Sequence, residues 1–280
     1  SMAIYVTSDA HGHVRALDEA LSKISLASDD TLYVLGDMID RGPDPLGVIK
    51  LVRSLPNAHV LKGNHEQIML DAIIGQDPLD AETWDINGGW TTREQLNDME
   101  FEAYEELVRW MAALPLYAVA ETDERPYLLV HAGIEMDAAH AFLLEHDVDC
   151  SDGRGAVDAD RDLLQQMLAV QSSDDLLWIR HGYWDKPTGL LSADGKGPVV
   201  VSGHTPTVSL GRYCEVGGLA GLDEESGRGQ IVRLGGEDTA GVPDRIDIDC
   251  AAAPGSEFGR VGILRLDDGA EFYANILPGK

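Results

Sequence analysis

Five short polar segments of the 280-residue chain carry residue types that bind metal and move protons. Asp9-Ala10-His11 sets a carboxylate and an imidazole two residues apart. Gly36-Asp37-Met38-Ile39-Asp40-Arg41-Gly42 holds two carboxylates and an arginine between glycines, and Gly63-Asn64-His65-Glu66 places an amide beside an imidazole. His131-Ala132-Gly133 and Gly203-His204-Thr205-Pro206 add one histidine each. Oxygen and imidazole donors without thiolate suit Mn²⁺, Fe or Zn²⁺ and exclude a soft-metal site. Two such cations side by side can share a water, lower its pKa and clamp both ends of an in-line displacement at phosphorus.

Taken singly, each segment has an ordinary explanation: a helix-capping aspartate, a turn asparagine, a structural histidine. Jointly that account fails, because each polar group ends a separate predicted strand. Ile4 to Val6 reads as a strand feeding Asp9 to Gly12, and a helix follows with Val14, Leu17, Leu21 and Ile24 on one face. In extended backbone, Asp9 and His11 would project to the same side. Thr31 to Leu35 is the next strand, and after its loop Asp44 caps a helix with Pro45 at its first position. Ala58 to Leu61 precedes Asn64 and His65, and a helix with Ile68, Met69 and Ile73 follows. Alternating units of this kind predict parallel strands with helical crossovers, with ligands gathered at the strands' carboxyl ends.

The middle of the chain predicts helix from about Thr91 to Ala113, ended by Pro115, then strands Leu116–Ala120 and Tyr127–Val130. Residues 147–175, acidic and turn-rich around a helical stretch at Leu163–Val170, read as a surface excursion, as do residues 217–244. Further β-runs are Val199–Val201, Gln230–Leu234, Arg245–Ile248, Val261–Leu266 and Glu271–Ile276, with Asp267-Asp268-Gly269 turning the last pair.

The ordered set Asp9-x-His11-Gly12, Gly36-Asp37-x-x-Asp40-Arg41-Gly42, Gly63-Asn64-His65-Glu66, His131-Ala132-Gly133 and Gly203-His204 resembles the calcineurin-like metallophosphoesterases. Within them it is similar to the bacterial and bacteriophage-type serine/threonine phosphatases of the phosphoprotein phosphatase family. The resemblance implies an α/β fold, a four-layer α-β-β-α sandwich with central mixed β-sheets and a di-metal site at strand C-terminal ends, formed by residues 1–280 as one domain. It implies that Asp9, His11 and Asp37 hold one cation, and that Asp37 bridges to a second completed by Asn64, His131 and His204. Manganese is the expected metal, with Fe or Zn²⁺ as alternatives. A water between the cations would attack phosphorus while His65 protonates the leaving alkoxide. Asp40 would orient His65, and Arg41 would grip the phosphoryl oxygens as a bidentate guanidinium does well. Arg180, in Leu176-Leu177-Trp178-Ile179-Arg180, matches the family's second arginine.

Departures refine this expectation. Ser8 stands where the family often has Gly, and Asp249-Cys250-Ala251-Ala252 replaces the eukaryotic Ser-Ala-Pro-Asn-Tyr signature. Pro206 occupies the last position of the Gly-His-x-His usual in diesterases and nucleases. Symmetrical diadenosine tetraphosphatases usually lack an aspartate at the position of Asp40 and have Asp where Glu66 stands. The expected activity is therefore hydrolysis of phosphomonoesters, phosphoserine or phosphothreonine in proteins with phosphotyrosine as a further option, and small phosphoesters as other substrates. Diadenosine tetraphosphate hydrolysis is the alternative. A non-catalytic binding module ranks third, since it has no use for a general acid.

Composition sets outer bounds. Formal net charge is −28, from 49 acidic and 21 basic residues, which excludes a nucleic-acid surface and anionic membranes as partners. The positive character of a phosphate site must then come from two metals and two arginines. No apolar run approaches the ~20 residues of a membrane span and no secretory segment opens the chain, so a soluble, cytoplasmic protein is expected. Ser1 before Met2 reads as a cloning remnant. Cys150, Cys214 and Cys250 are scattered and form no disulfide or zinc pattern, with Cys250 expected as a small buried hydrophobe. His13, His59, His140, His146 and His181 have no motif partners, and Gly189–Gly197 with Lys196 lacks the spacing and the Ser/Thr of a phosphate loop.

Overall fold

The computed structural model describes residues 2–215 and 220–279. Two mixed five-stranded sheets form its centre. The first contains β1 (Ile4–Thr7), β2 (Thr31–Val34), β3 (Ala58–Val60), β9 (Arg260–Arg265) and β10 (Glu271–Asn275), in the order β10-β9-β1-β2-β3. Its β1, β2 and β3 run parallel, and β9 is antiparallel to both β1 and β10. The second contains β4 (Tyr117–Glu121), β5 (Pro126–Val130), β6 (Val199–Ser202), β7 (Val232–Leu234) and β8 (Arg245–Asp247), in the order β4-β5-β6-β8-β7. Here β5, β6 and β8 are parallel and the two edge strands antiparallel.

Side-chain alternation assigns each face. Ile4 and Val6 of β1, Leu129 of β5, Val199 and Val201 of β6 and Leu264 of β9 share one buried cluster between the sheets. Their neighbours Tyr5 and Ile263 turn to an outer cluster with α1 (Val14–Ile24), α2 (Pro45–Arg53) and α3 (Asn64–Ile74). Leu128, Val130 and Val200 turn to the opposite outer cluster with α7 (Met136–Glu145) and α8 (Arg161–Ala169). The result is helices, sheet, sheet, helices. A strand covered on both faces is favoured as a near-continuous apolar run, and β6 begins Val-Val-Val accordingly.

Some expected boundaries change. The single helix expected over 91–113 is two, α5 (Trp90–Asn97) and α6 (Phe101–Ala112), and a further helix not expected from the sequence, α4 (Pro78–Ile86), precedes them. Asp77 caps α4 with Pro78 behind it, the same start signal as Asp44-Pro45. Asn97 and Asp98, whose side chains compete for backbone hydrogen bonds, close α5 before α6 begins. The 147–175 segment is more than a surface excursion, because its α8 buries Leu164, Met167 and Leu168. Of the other expected excursion, residues 217–219 lie outside the described residues, as does Ser1, and β7 lies within the remainder. The β9–β10 hairpin turns at Asp267-Asp268-Gly269, where Gly269 takes φ +75°. Cys250 is buried and unpaired in a disulfide. Among the described residues, no helix is long and apolar enough to cross a membrane.

Candidate metal centre

The five polar segments meet at the carboxyl ends of β1, β2, β3, β5 and β6. Backbone hydrogen bonds tie the first two loops together: the Asp9 N–H donates to Gly36 O at 3.0 Å, His11 N–H to Asp37 O at 3.0 Å and Gly12 N–H to Met38 O at 2.8 Å. Asp9, His11 and Asp37 take φ values of 56°, 42° and 53°. Asp9 and His11 therefore face the site from a left-handed turn, not from the extended backbone expected of them. Each such residue costs roughly 1–3 kcal/mol, so surrounding structure must enforce it.

Glu66 supplies much of that enforcement. Its Oε2 accepts the N–H of Asp37 and of Gly63, and its Oε1 accepts the N–H of Met38, all at 2.8 Å. One fully buried carboxylate thus joins the β2 loop to the start of α3. Replacing it by alanine leaves three buried N–H donors without an acceptor, at about 1–3 kcal/mol each. Glu66→Ala is expected to lower unfolding stability by at least about 3 kcal/mol in urea titration, and to lose bound metal before it unfolds.

The donor atoms converge in two groups: those of His11, Asp37 and His65, and those of Asp37, His131 and His204, each within 4.8 Å of one another. Asp37 belongs to both. Its Oδ2 stands 3.5 Å from His11 Nε2 and 3.4 Å from His131 Nε2. Asn64 Oδ1 lies 2.8 Å from His131 Nε2 and 2.9 Å from His204 Nδ1, so it sits inside the second group. Asp9 flanks the first, with Oδ1 at 3.8 Å from His11 Nε2. The tighter first grouping contains His65 in place of Asp9, because the His65 and His11 rings meet edge to face at 4.7 Å. His65 Nδ1 is engaged by Asp40 Oδ2 at 2.7 Å, leaving Nε2 for the cleft.

These residues fit a pair of cations. Among the described residues, Asp9 Oδ1 and His204 Nε2 are buried polar atoms without a hydrogen-bond partner, a costly arrangement unless a bound ion satisfies them. A Cβ on Gly203 would stand 2.1 Å from Asp9 Oδ2, so the glycine leaves this carboxylate its place. His11 Nδ1 and His131 Nδ1 are fixed by the carbonyls of Ile39 (3.0 Å) and Leu35 (2.7 Å), which aims Nε2 inward, as ligating histidines require. The electrostatics of these groups follow from their burial and their neighbours. Burial, with Asp249 next, drives the Asp9 carboxyl well above its usual range. Burial pushes His11 down to about 3 and His204 well below its ordinary value. Burial would also lower His131, but the Asp37 carboxylate outweighs it and lifts that imidazole to about 10.

A cleft of about 250 Å³ opens onto these groups. Arg41 and Arg180 line it. Arg41 takes φ 68° and its N–H donates to Gly88 O at 3.0 Å. Arg180 is held by His204 O and Thr205 Oγ1 at 3.0 and 3.2 Å, so it is a fixed wall residue and not a free surface arginine. Pro206 also lines the cleft. All ten candidate residues therefore meet at one place.

Several participants carried no motif signal. Trp84 and Thr92 contact Asp40, and Asn87, Trp178 and Asp249 line the cleft. Trp178 lies two residues before Arg180 and meets the His204 ring edge to face at 5.8 Å. The Asn87-Gly88-Gly89 turn lies between Trp84 and Thr92.

Comparison with known proteins agrees with this geometry. The sequence matches the family model described as calcineurin-like phosphoesterase over residues 2–228. It is 34% identical over 155 residues to a symmetrical bis(5'-nucleosyl)-tetraphosphatase of Proteus mirabilis, covering 53% of this chain and 51% of that one. It is 31% identical over 153 residues to the enzyme of the same name from Erwinia tasmaniensis, covering 53% and 51%. The chain thus spans about half the length of the curated relatives it matches. In fold it is similar to a solved structure provisionally assigned as a diadenosine tetraphosphatase (TM-score 0.54, 19% identity, 99% of this chain and 95% of that one). It is also similar to a cold-active protein-tyrosine phosphatase of a psychrophilic Shewanella species (TM-score 0.50, 18% identity, 98% and 80%). With its two five-stranded sheets and its clustered carboxylates and histidines, the chain belongs to the calcineurin-like phosphoesterase family.

Proposed function

We propose that the protein is a metal-dependent phosphomonoesterase whose substrates include phosphoserine and phosphothreonine in proteins. The observation that carries this reading is the His65–Asp40 hydrogen bond of 2.7 Å on the wall of the metal cleft. A monoester of an aliphatic alcohol leaves as a strongly basic alkoxide, which needs a proton in the transition state. A nucleotide leaving from a polyphosphate is a far weaker base and needs that proton much less. A carboxylate-oriented imidazole beside the phosphoryl site is therefore of most use to a monoesterase.

Two cations held by Asp9, His11, Asp37, Asn64, His131 and His204, with manganese as the proposed metal, would supply a nucleophile of lowered pKa and neutralise charge at phosphorus. The chain's own side chains do the rest. Arg41 and Arg180 hold the non-bridging oxygens and orient the ester in line. His65 Nε2 gives its proton to the departing oxygen, and Asp40, accepting the Nδ1–H, favours the imidazolium that carries a proton on Nε2 as well. Burial opposes the charged imidazole, but Asp37 and Asp40 together raise the His65 pKa above its ordinary value, which favours the proton-carrying form.

The tetraphosphatase relatives favour a second reading, hydrolysis of dinucleoside polyphosphates on the same scaffold. One panel separates the two: metal-stripped protein, re-supplied with Mn²⁺, assayed on para-nitrophenyl phosphate, its bis-ester, diadenosine tetraphosphate and phosphopeptides. Metal-restored turnover is expected to be greatest on the monoesters and phosphopeptides. A large preference for diadenosine tetraphosphate selects the second reading, and no turnover of any substrate overturns both.

A further inference from the structure

Asp40 reaches His65 through one carboxylate oxygen, yet what fixes that carboxylate comes from a segment without a single metal-binding candidate. Trp84, near the end of α4, donates its indole Nε1–H to Asp40 Oδ1 and Oδ2 at 3.1 and 3.2 Å. Thr92, in the first turn of α5, donates its hydroxyl to Asp40 Oδ1 at 2.6 Å. The same hydroxyl accepts Asp40's own N–H at 3.0 Å. Trp84 is 4% exposed and Thr92 0%, so water does not compete for these bonds. The turn between the two helices is shaped for the task. A Cβ on Gly89 would stand 2.2 Å from Trp84 Cδ1, and a Cβ on Gly88 2.8 Å from Arg41 Cγ.

We propose that Trp84 and Thr92 are positioning residues of the phosphoryl-transfer site: they lock the Asp40 carboxylate so that Oδ2 meets His65 Nδ1, while the turn between them seats Arg41. This rests on the general-acid role proposed for His65. The physical need is plain. The terminal torsion of an aspartate is soft and roughly two-fold, so one bond to His65 does not choose its angle. Thr92 on Oδ1 and Trp84 across both oxygens do, and Asp40 itself stands at φ 69°, a conformation that its surroundings must enforce. If Trp84 and Thr92 were only core filler, phenylalanine and valine would serve the same volume, and two buried polar groups would not both be spent on one carboxylate.

The test compares Thr92→Val, Thr92→Ser and Trp84→Phe in the Mn²⁺-loaded protein, alone and in the His65→Asn background. Thr92→Val and Trp84→Phe are expected to lower kcat on alkyl phosphates about tenfold, the scale of an outer-layer partner of a site residue. Para-nitrophenyl phosphate, whose leaving group needs little help, should stay within about twofold. Thr92→Ser keeps the hydroxyl and should restore the alkyl rate. In the His65→Asn background, Thr92→Val should add no further alkyl-selective loss. An equal loss on both substrates that persists without His65 would mean a structural role and overturn the proposal. A second measurement needs no turnover and uses diamagnetic Zn²⁺ in place of Mn²⁺: the NMR resonance of the His65 Nδ1 proton should be protected from exchange in the wild type and Thr92→Ser, and lost in Thr92→Val. If His65→Asn alone shows no leaving-group selectivity, the general-acid reading fails, and the Nδ1 resonance still decides whether Thr92 fixes the Asp40–His65 pair.

Discussion

Asp37→Asn is expected to strip both cations and to lower phosphoesterase turnover by at least about 10²–10³-fold, the cost of removing one main electrostatic stabiliser from a site. The expectation follows from where the carboxylate stands. Its Oδ2 is 3.5 Å from His11 Nε2 and 3.4 Å from His131 Nε2, and it alone belongs to both donor groups. Asparagine keeps the size, and its amide oxygen can still accept the His65 N–H that Asp37 Oδ1 now accepts at 2.9 Å. The local turn should therefore survive while the shared negative charge disappears. The imidazoles of His131 and His65 already hold the Asp37 carboxyl well below the usual range despite its burial, so in the wild type that charge is present whenever metal arrives. Metal content after desalting, read beside circular dichroism, checks the result. Asp9→Asn, which touches only the first group, should lose about half the metal. If Asp37→Asn retained two equivalents and full activity, the shared-ligand assignment would be wrong.

Much of this site is legible in the sequence because one simple rule places it: a polar segment that ends an apolar run of β-type lies at the mouth of a sheet. Asp9, Asp37, Asn64, His131 and His204 all obey that rule. So does the inter-sheet core, since the near-continuous apolar run that opens β6 (Val-Val-Val-Ser) is favoured where both faces are covered. The conformation of the loops does not follow from residue type. Asp9, His11, Asp37, Asp40, Arg41 and His204 all adopt positive φ without being glycine. Such backbone is disfavoured locally and exists only because distant groups, Glu66 above all, bond to it; a local reading predicts extended chain instead. Trp84 and Thr92 escape detection for a related reason. A tryptophan and a threonine on helices read as core and as weak helix formers, and only the folded chain brings α4 and α5 against a loop 44 and 52 residues earlier. Long-range side-chain bonds of this kind leave no periodicity behind.

His65→Asn should separate proton transfer from metal binding more sharply than any other substitution. Asparagine fits the space and leaves the six proposed ligands untouched, so two equivalents of metal should remain bound. What disappears is a proton donor facing the cleft. General acid catalysis contributes typically 10²–10⁴-fold, about 3–5 kcal/mol of barrier, but only to the extent that the leaving group demands a proton. Turnover of alkyl phosphates and phosphoserine peptides should therefore fall by about 10²–10⁴-fold. Para-nitrophenyl phosphate should fall by less than about tenfold, and the dependence of log kcat on leaving-group pKa should steepen. Asp37→Asn would depress all substrates together, since charge stabilisation at phosphorus serves every ester alike. The pattern across leaving groups thus carries the assignment, and the size of any single rate does not. A uniform loss over the series would place His65 in phosphate binding. Unchanged rates on alkyl phosphates would remove it from the chemistry altogether, and with it the argument that a 2.7 Å bond to Asp40 marks this chain as a monoesterase.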